Sequence, residues 1–469
     1  MNKFCRRIAI CLTAVLVLPL LAGCSAQKSN NADDPSEFNS KVVVTTEHFS
    51  VSHSMMEYFF NSYYRNFAND YAARLSQMNL DTGKSLKNQK YSDEYSWFDY
   101  LLAQTLRQVQ QLLYLNEAAL ESDLELSEDD RQKIDDTLAR YDATASENET
   151  STAYYLKNLF GDSVNETTVR KCLELQMLAA GYNAKLEEEQ SFTDAQMQTY
   201  FEENSKEYTM IGLIRAVVPS EDVQSFADAE NEHAFVRLLE NLWLEQEPDL
   251  AEEELAEKLE DAYVRRAGFV EKAEFSQWAF DSARKPYETY IAGDKTENDE
   301  TTVYMLLPAA DDSIGQVVYR DSTPLKNLKY ILFQPEKNET AEACAQRTQE
   351  KFDKWQKEGR LNSEAAFDAL VQEYDGDTSL ALERGQLIGK LEEWIFDVSR
   401  KEGDTSMITA DEGTYVLYML SDGEPQWKSH VREDMLQEAL DAALEKLAEQ
   451  YDARYSESAL YDISQIYIK

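Results

Sequence analysis

A pattern that occurs twice constrains this chain more than any other feature. Residues 278–285 read Trp-Ala-Phe-Asp-Ser-Ala-Arg-Lys and residues 394–401 read Trp-Ile-Phe-Asp-Val-Ser-Arg-Lys. A β-rich run follows each, at 303–307 and 416–420. The tryptophans stand 116 positions apart (394 − 278) and the Tyr-Met-Leu triplets of the two runs 114 apart (418 − 304). A unit of that length is a small domain used twice. The first copy opens with a β-rich run at 211–218 closed by Pro219, and acid-rich helical sequence follows over 222–262. The second opens at 328–333, closed by Pro335, with helical stretches at 340–357 and 363–373 and a turn at Asp375-Gly376-Asp377. Each copy reads strand, helices, strand, an α+β unit.

The region in front has a different period. After a β-rich run at 42–46, Ser52 or Ser54 caps a long helix carrying Met56, Phe59, Phe60, Tyr63 and Phe67 at helical spacing. That broad apolar face is either a greasy surface for unfolded chains or an ordinary core face. Further helices are predicted over about 93–121, from Ser127 with Asp130 in a capping box, and over 163–190. A short one starts at Thr193, with Gln196 completing its capping box and Phe192 and Met197 as a staple. A last helix spans 430–451, and 460–468 is short and apolar.

The first 23 residues read as an export signal: Lys3, Arg6 and Arg7, then an apolar stretch too short to span a bilayer. The stretch ends Leu21-Ala22-Gly23-Cys24, which resembles the bacterial lipobox. Acyl chains on Cys24 would hold the protein at the extracytoplasmic face of the cell membrane. Residues 24–40 are polar and aperiodic, a flexible tether.

Net charge is −42, and −45 once Lys3, Arg6 and Arg7 are removed (−42 − 3). Such a body repels phosphate, so nucleic acid is excluded as a partner. The acidity serves solubility, or attracts basic unfolded clients or divalent cations. Glycine numbers 15 in 469, with no phosphate-cradling array. Cys172 and Cys344 read as buried apolar side chains rather than a disulfide framework. Asp375, Asp377 and Ser379 start like a calcium loop, but Leu380 and Gln386 stand where glycine and glutamate are needed. No metal site and no cofactor are expected.

The second copy resembles a parvulin-type peptidyl-prolyl isomerase domain. The resemblance rests on the strand at Lys329-Tyr330-Ile331-Leu332, Phe367 and Leu370 before the turn, Gly385-Gln386-Leu387-Ile388-Gly389, Trp394-Ile395-Phe396, Gly403-Asp404, and Glu412-Gly413-Thr414-Tyr415-Val416. The first copy is a more diverged version. The helical front, with its best match at 192–208, resembles the N-terminal domain of PrsA/SurA-type extracytoplasmic foldases. The resemblance implies a signal (1–23), a tether (24–40), a helical domain (41–203), two degenerate parvulin-like domains (204–312 and 313–424) and a C-terminal helix (425–469) that packs back on the helical domain. It also implies a chaperone that binds unfolded, newly secreted proteins. Parvulins carry a histidine on the first strand and another on the last. Here those positions hold Tyr330 and Tyr415, and in the first copy about Arg215 and Thr301. His48, His53, His233 and His430 lie elsewhere. Efficient isomerase activity is therefore not expected. An isomerase with a tyrosine-lined pocket and a solute-binding lipoprotein are the rival readings, and the helical first half argues against the latter.

Overall fold

The computed structural model describes residues 41–264, 269, 273–295, 299–309, 315–337, 339–387 and 389–468. The predicted signal, the tether and Cys24 lie outside the described residues. The chain divides into two compact units, 1–191 together with 436–469, and 192–435.

The first unit begins with β1 (Val42–Thr45) and β2 (Ser50–Ser52), an antiparallel pair. Five helices follow: α1 (His53–Asp70), α2 (Trp97–Glu121), α3 (Glu128–Glu147), α4 (Thr152–Phe160) and α5 (Glu166–Glu189). Local chemistry sets their starts. Ser52, the nearer of the two candidate serines, accepts from the Met55 amide at 3.4 Å. Helix α2 begins at Trp97 rather than near Asp93, because Ser96 and Asp99 form a reciprocal capping box there. Ser127 and Asp130 do the same for α3.

The second unit starts with α6 (Asp194–Glu203), capped by Thr193 and Gln196, and the single turn α7 (Ser205–Tyr208). Two modules of one topology follow. The first runs β3 (Thr209–Ile211), β4 (Leu213–Pro219), α8 (Val223–Ala227), α9 (Glu232–Gln246), α10 (Glu252–Ala262), β5 (Tyr263–Val264), α11 (Glu274–Ala279), β6 (Thr289–Lys295) and β7 (Glu300–Leu306). The second runs β8 (Val318–Arg320), β9 (Pro324–Phe333), α12 (Ala341–Lys357), α13 (Glu364–Glu373), β10 (Asp377–Leu382), α14 (Gly389–Ile395), β11 (Thr405–Ala410) and β12 (Gly413–Pro425). Strands β3 and β8 pair as a ribbon. The sheets are β5-β4-β7-β6 and β10-β9-β12-β11, antiparallel throughout, with the opening strand of each module against its closing strand. The helices between the opening strand and the tryptophan helix, α8 to α10 in the first module and α12 and α13 in the second, cover one sheet face, and the short helix carrying the repeated tryptophan covers the other.

The register corrects one feature of the repeat. Thr289 pairs with Met305 and Thr405 with Tyr418, so Met305 is the counterpart of Tyr418. The matching Tyr-Met-Leu triplets are one residue out of step. Because side chains alternate, Tyr304 and Tyr418 face opposite sides of their sheets. Tyr304 meets Phe275 at 4.4 Å on the α11 side, whereas Tyr418 meets Phe367 of α13 at 5.2 Å.

Helix α15 (Gln426–Gln450) serves both units through different residues. Trp427 and Val431 pack with Met197, Phe201 and Tyr208 inside the second unit. Residues 192–203, expected with the helical front, therefore belong to the second unit. Beyond Met435, Leu444 and Leu447 join the first unit's core. Strand β13 (Arg454–Tyr455) then pairs with β1, and α16 (Glu457–Tyr461) leads into a C-terminal segment that completes that core. None of the helices among the described residues is long and apolar enough to cross a membrane.

Candidate functional site

Helix α1 spends its apolar face on the core. Met56 and Phe60 are wholly buried, Phe59 and Phe67 nearly so, and Tyr63 is half-buried. Phe60 meets Phe98 at 5.0 Å and Phe67 meets Trp97 at 5.7 Å. Of the five candidate client-binding side chains, four therefore lie in the core and Tyr63 stands at its margin. Burial, then the neighbouring Tyr100, pushes the Tyr63 phenol well up.

Tyr330 and Tyr415 share the α14 side of the second module's sheet. Tyr330 lies opposite Leu417 and Tyr415 opposite Leu332, and their ring centres are 5.8 Å apart. Both are half-exposed, above an apolar floor of Leu328, Leu391, Ile395, Ile408 and Leu417. The turn beneath is tight: a Cβ on Gly376 would lie 2.4 Å from the Tyr330 carbonyl oxygen. The Tyr415 hydroxyl donates to Glu412 at 2.7 Å. Burial first, then that bond and the Glu412 charge, push its pKa up to about 12. The accepted hydrogen bond in turn holds Glu412 below the usual carboxylate range. At neutral pH Tyr415 is a donor, not a base. The segment that starts like a calcium loop is part of a strand: Asp377 opens β10 and takes the Thr378 amide on its own carboxylate.

The same register identifies the first module's counterparts. Leu213 pairs with Leu306 as Leu328 pairs with Met419, so Arg215 stands where Tyr330 does. Thr302, opposite Val217, stands where Tyr415 does; Thr301 points to the other face. This face carries Phe275, Trp278, Tyr290 and Tyr304, with Trp278 and Tyr290 at 5.2 Å. In neither module do these positions hold an imidazole. His430, on α15, is bound to Glu383 at 2.7 Å, and His233 is exposed at the start of α9. Buried Lys329 serves the opposite sheet face, where it pairs with Glu364 at 2.8 Å and with Asp368.

Three arrangements escaped the sequence reading. In the repeated motif each arginine lies over the tryptophan six residues earlier. Arg320 lies over Trp427 at 4.4 Å and over Phe201 at 5.3 Å. In the first unit, buried Glu57 accepts from the amides and hydroxyls of both Ser163 and Ser464. A glutamate and an asparagine four residues apart, Glu57 and Asn61, inside an apolar helix face were the available signal for the last.

Two solved structures illustrate what the chain is similar to. One is described as belonging to PEB4 and Cj1289, structurally related SurA-like chaperones of Campylobacter jejuni; it is 8% identical, with 89% of this chain and 100% of that chain covered and a TM-score of 0.23. The other is PrsA from Bacillus subtilis, 12% identical, with 91% and 98% covered and a TM-score of 0.24. No family model and no curated protein matches the chain.

Proposed function

We propose that the chain is an extracytoplasmic chaperone, lipid-anchored through Cys24, that holds unfolded, newly secreted proteins. In this reading the two parvulin-like modules bind or space the client and contribute little or no isomerase activity. The observation that carries it is the face around Tyr330 and Tyr415. It is half-exposed, apolar and aromatic, and its two central positions bear phenols where the resembled enzymes use imidazoles. Such a face can take up apolar chain by area burial alone. Lowering the barrier of about 18–20 kcal/mol to amide rotation needs more, namely tighter binding of the twisted amide than of the planar one.

The test uses the mature chain. It should suppress aggregation of a reduced, unfolded protein while leaving proline isomerisation at its uncatalysed rate. Absence of suppression would remove the proposal. The isomerase alternative rests on Tyr415 remaining a hydrogen-bond donor. Turnover that disappears in Tyr330→Phe/Tyr415→Phe would establish it. Radiolabelled fatty acid incorporated in the parent and lost in Cys24→Ser tests the anchor.

A further inference from the structure

The C-terminal segment 463–468 is held in the first unit as a bound peptide would be. It is neither helix nor strand, yet the main chain of every second residue is gripped. The Ser464 amide donates to Glu57 at 3.1 Å, and its carbonyl accepts from Asn61 at 3.0 Å. The Ile466 amide donates to Asn61 at 2.9 Å. The Ile468 amide donates to the Thr82 carbonyl at 3.2 Å, and the Thr82 hydroxyl donates back to the Ile468 carbonyl at 2.9 Å. Between these grips Gln465 accepts from the Leu86 amide at 2.6 Å and donates to the Lys84 carbonyl at 3.1 Å. Ile463 and Ile466 are buried and Ile468 packs on the core, whereas Tyr467 is 58% exposed.

The receiving groups are anchored without the segment. Asn61 also donates to the Phe160 carbonyl at 2.8 Å, and Glu57 also takes the Ser163 amide at 2.8 Å. The walls therefore hold one another, and the groups facing the segment are satisfiable by water in its place. A segment that is neither helix nor strand has no hydrogen-bond ladder of its own. Five bonds to main chain and three aliphatic anchors hold this one by contacts that any extended segment with similar spacing can make.

We propose that this cleft, built by Glu57, Asn61 and Thr82, is a peptide-binding groove whose resident tail exchanges with an extended client segment. The occupant is apolar at three positions spaced as Ile463, Ile466 and Ile468, with a small hydroxyl residue after the first. The proposal rests on the chaperone reading and adds to the module face a client site in the first unit.

A reversible lock tests it in the full mature chain. Thr82→Cys with Ile468→Cys ties the tail down when oxidised and frees it when reduced. The oxidised form should need at least tenfold more chaperone to suppress aggregation of an unfolded protein, with recovery on reduction. In parallel, a fluorescein-labelled peptide of residues 463–468 should bind a chain ending at Asp462 at least tenfold more tightly than the intact chain, and excess unfolded protein should displace it. Equal suppression by oxidised and reduced forms overturns the groove while leaving the chaperone reading intact. So does a bound peptide that unfolded protein fails to displace. Suppression by neither form, nor by the parent, removes the chaperone reading itself. The lock needs no truncation, so it decides even where the shortened chain does not fold.

Discussion

The Arg400 guanidinium lies 5.2 Å from the centre of the Trp394 ring, and Arg284 repeats the arrangement over Trp278 at 5.4 Å. Each arginine also reaches two carboxylates of its own turn, Asp397 and Asp404 in one module, Asp281 and Glu288 in the other. The repeated motif is thus a staple. Tryptophan seats the short helix on the sheet, and the arginine clamps the turn that leads to the next strand.

Removing the staple should therefore loosen one module at a time. Arg400→Ala is expected to cost about 1–2 kcal/mol, combining a partly desolvated cation–π contact with lost charge-assisted hydrogen bonds. Arg400→Lys should recover only part, because an ammonium cannot stack and fork together. Arg284→Ala should cost a similar amount and add to Arg400→Ala in a denaturant titration, because the two staples share no partner.

Glu57 supports a prediction of the opposite kind, in which a polar group stabilises an interior. Its carboxylate answers four donors while buried. Glu57→Gln turns one acceptor into a donor facing donors and should cost about 1–3 kcal/mol. Gly161→Ala should be at least as harmful, because the new Cβ would sit 2.4 Å from the Glu57 side chain and the backbone there has φ +118°. Amide exchange at Ser464 and Ile466 should accelerate in both variants ahead of the rest of the first unit.

The His48 imidazole bonds Glu117 at 2.7 Å, and His48's own amide reaches the same carboxylate at 2.8 Å. The Glu117 hydrogen bond, aided by its charge, raises the His48 pKa above 6.5. Burial works to raise Glu117, but hydrogen bonds from Thr46 and His48 outweigh it and hold the carboxyl below 4.5. The histidine's contribution is therefore full below pH 6.5 and fades as pH climbs through its raised value. The glutamate's contribution is full above pH 4.5 and fades as pH falls through its lowered value. His48→Gln should thus destabilise most near pH 5–6 and least near pH 9. A stability difference that grows toward alkaline pH would contradict the pair.

Much of the architecture was legible because it is written in local codes. Ser52, Ser127 and Thr193 begin their helices through hydrogen bonds that depend on residues three positions away. The duplicated Trp-x-Phe-Asp-x-x-Arg-Lys marked two modules, because one turn geometry requires those side chains together. Strands β6, β10 and β11 were not read, since edge positions are polar and half-exposed and so lack a clean alternation. Register was beyond reach for a similar reason. One inserted residue leaves the apolar pattern intact while moving Tyr304 and Tyr418 to opposite faces. The apolar face of α1 left open whether it was interior or surface. Part of the core it joins, Leu460, Ile463 and Ile466, lies some four hundred residues away and depends on the tail's return.

Arg320 provides the last test, since it joins segments distant in the chain within the second unit. Its guanidinium stacks 4.4 Å from the Trp427 ring centre and 5.3 Å from that of Phe201, and it donates to Gln198 at 3.0 Å. It thus ties β8 to both α6 and the first turn of α15. Arg320→Lys keeps the charge but loses planar stacking on two rings, at an expected cost of about 1 kcal/mol. The cost should fall locally. Amides of α6 and of the first turns of α15 should exchange several-fold faster, while those of β9 and β12 stay unchanged. Uniform acceleration across both sheets would mean that Arg320 supports the modules themselves rather than the helices packed beside them.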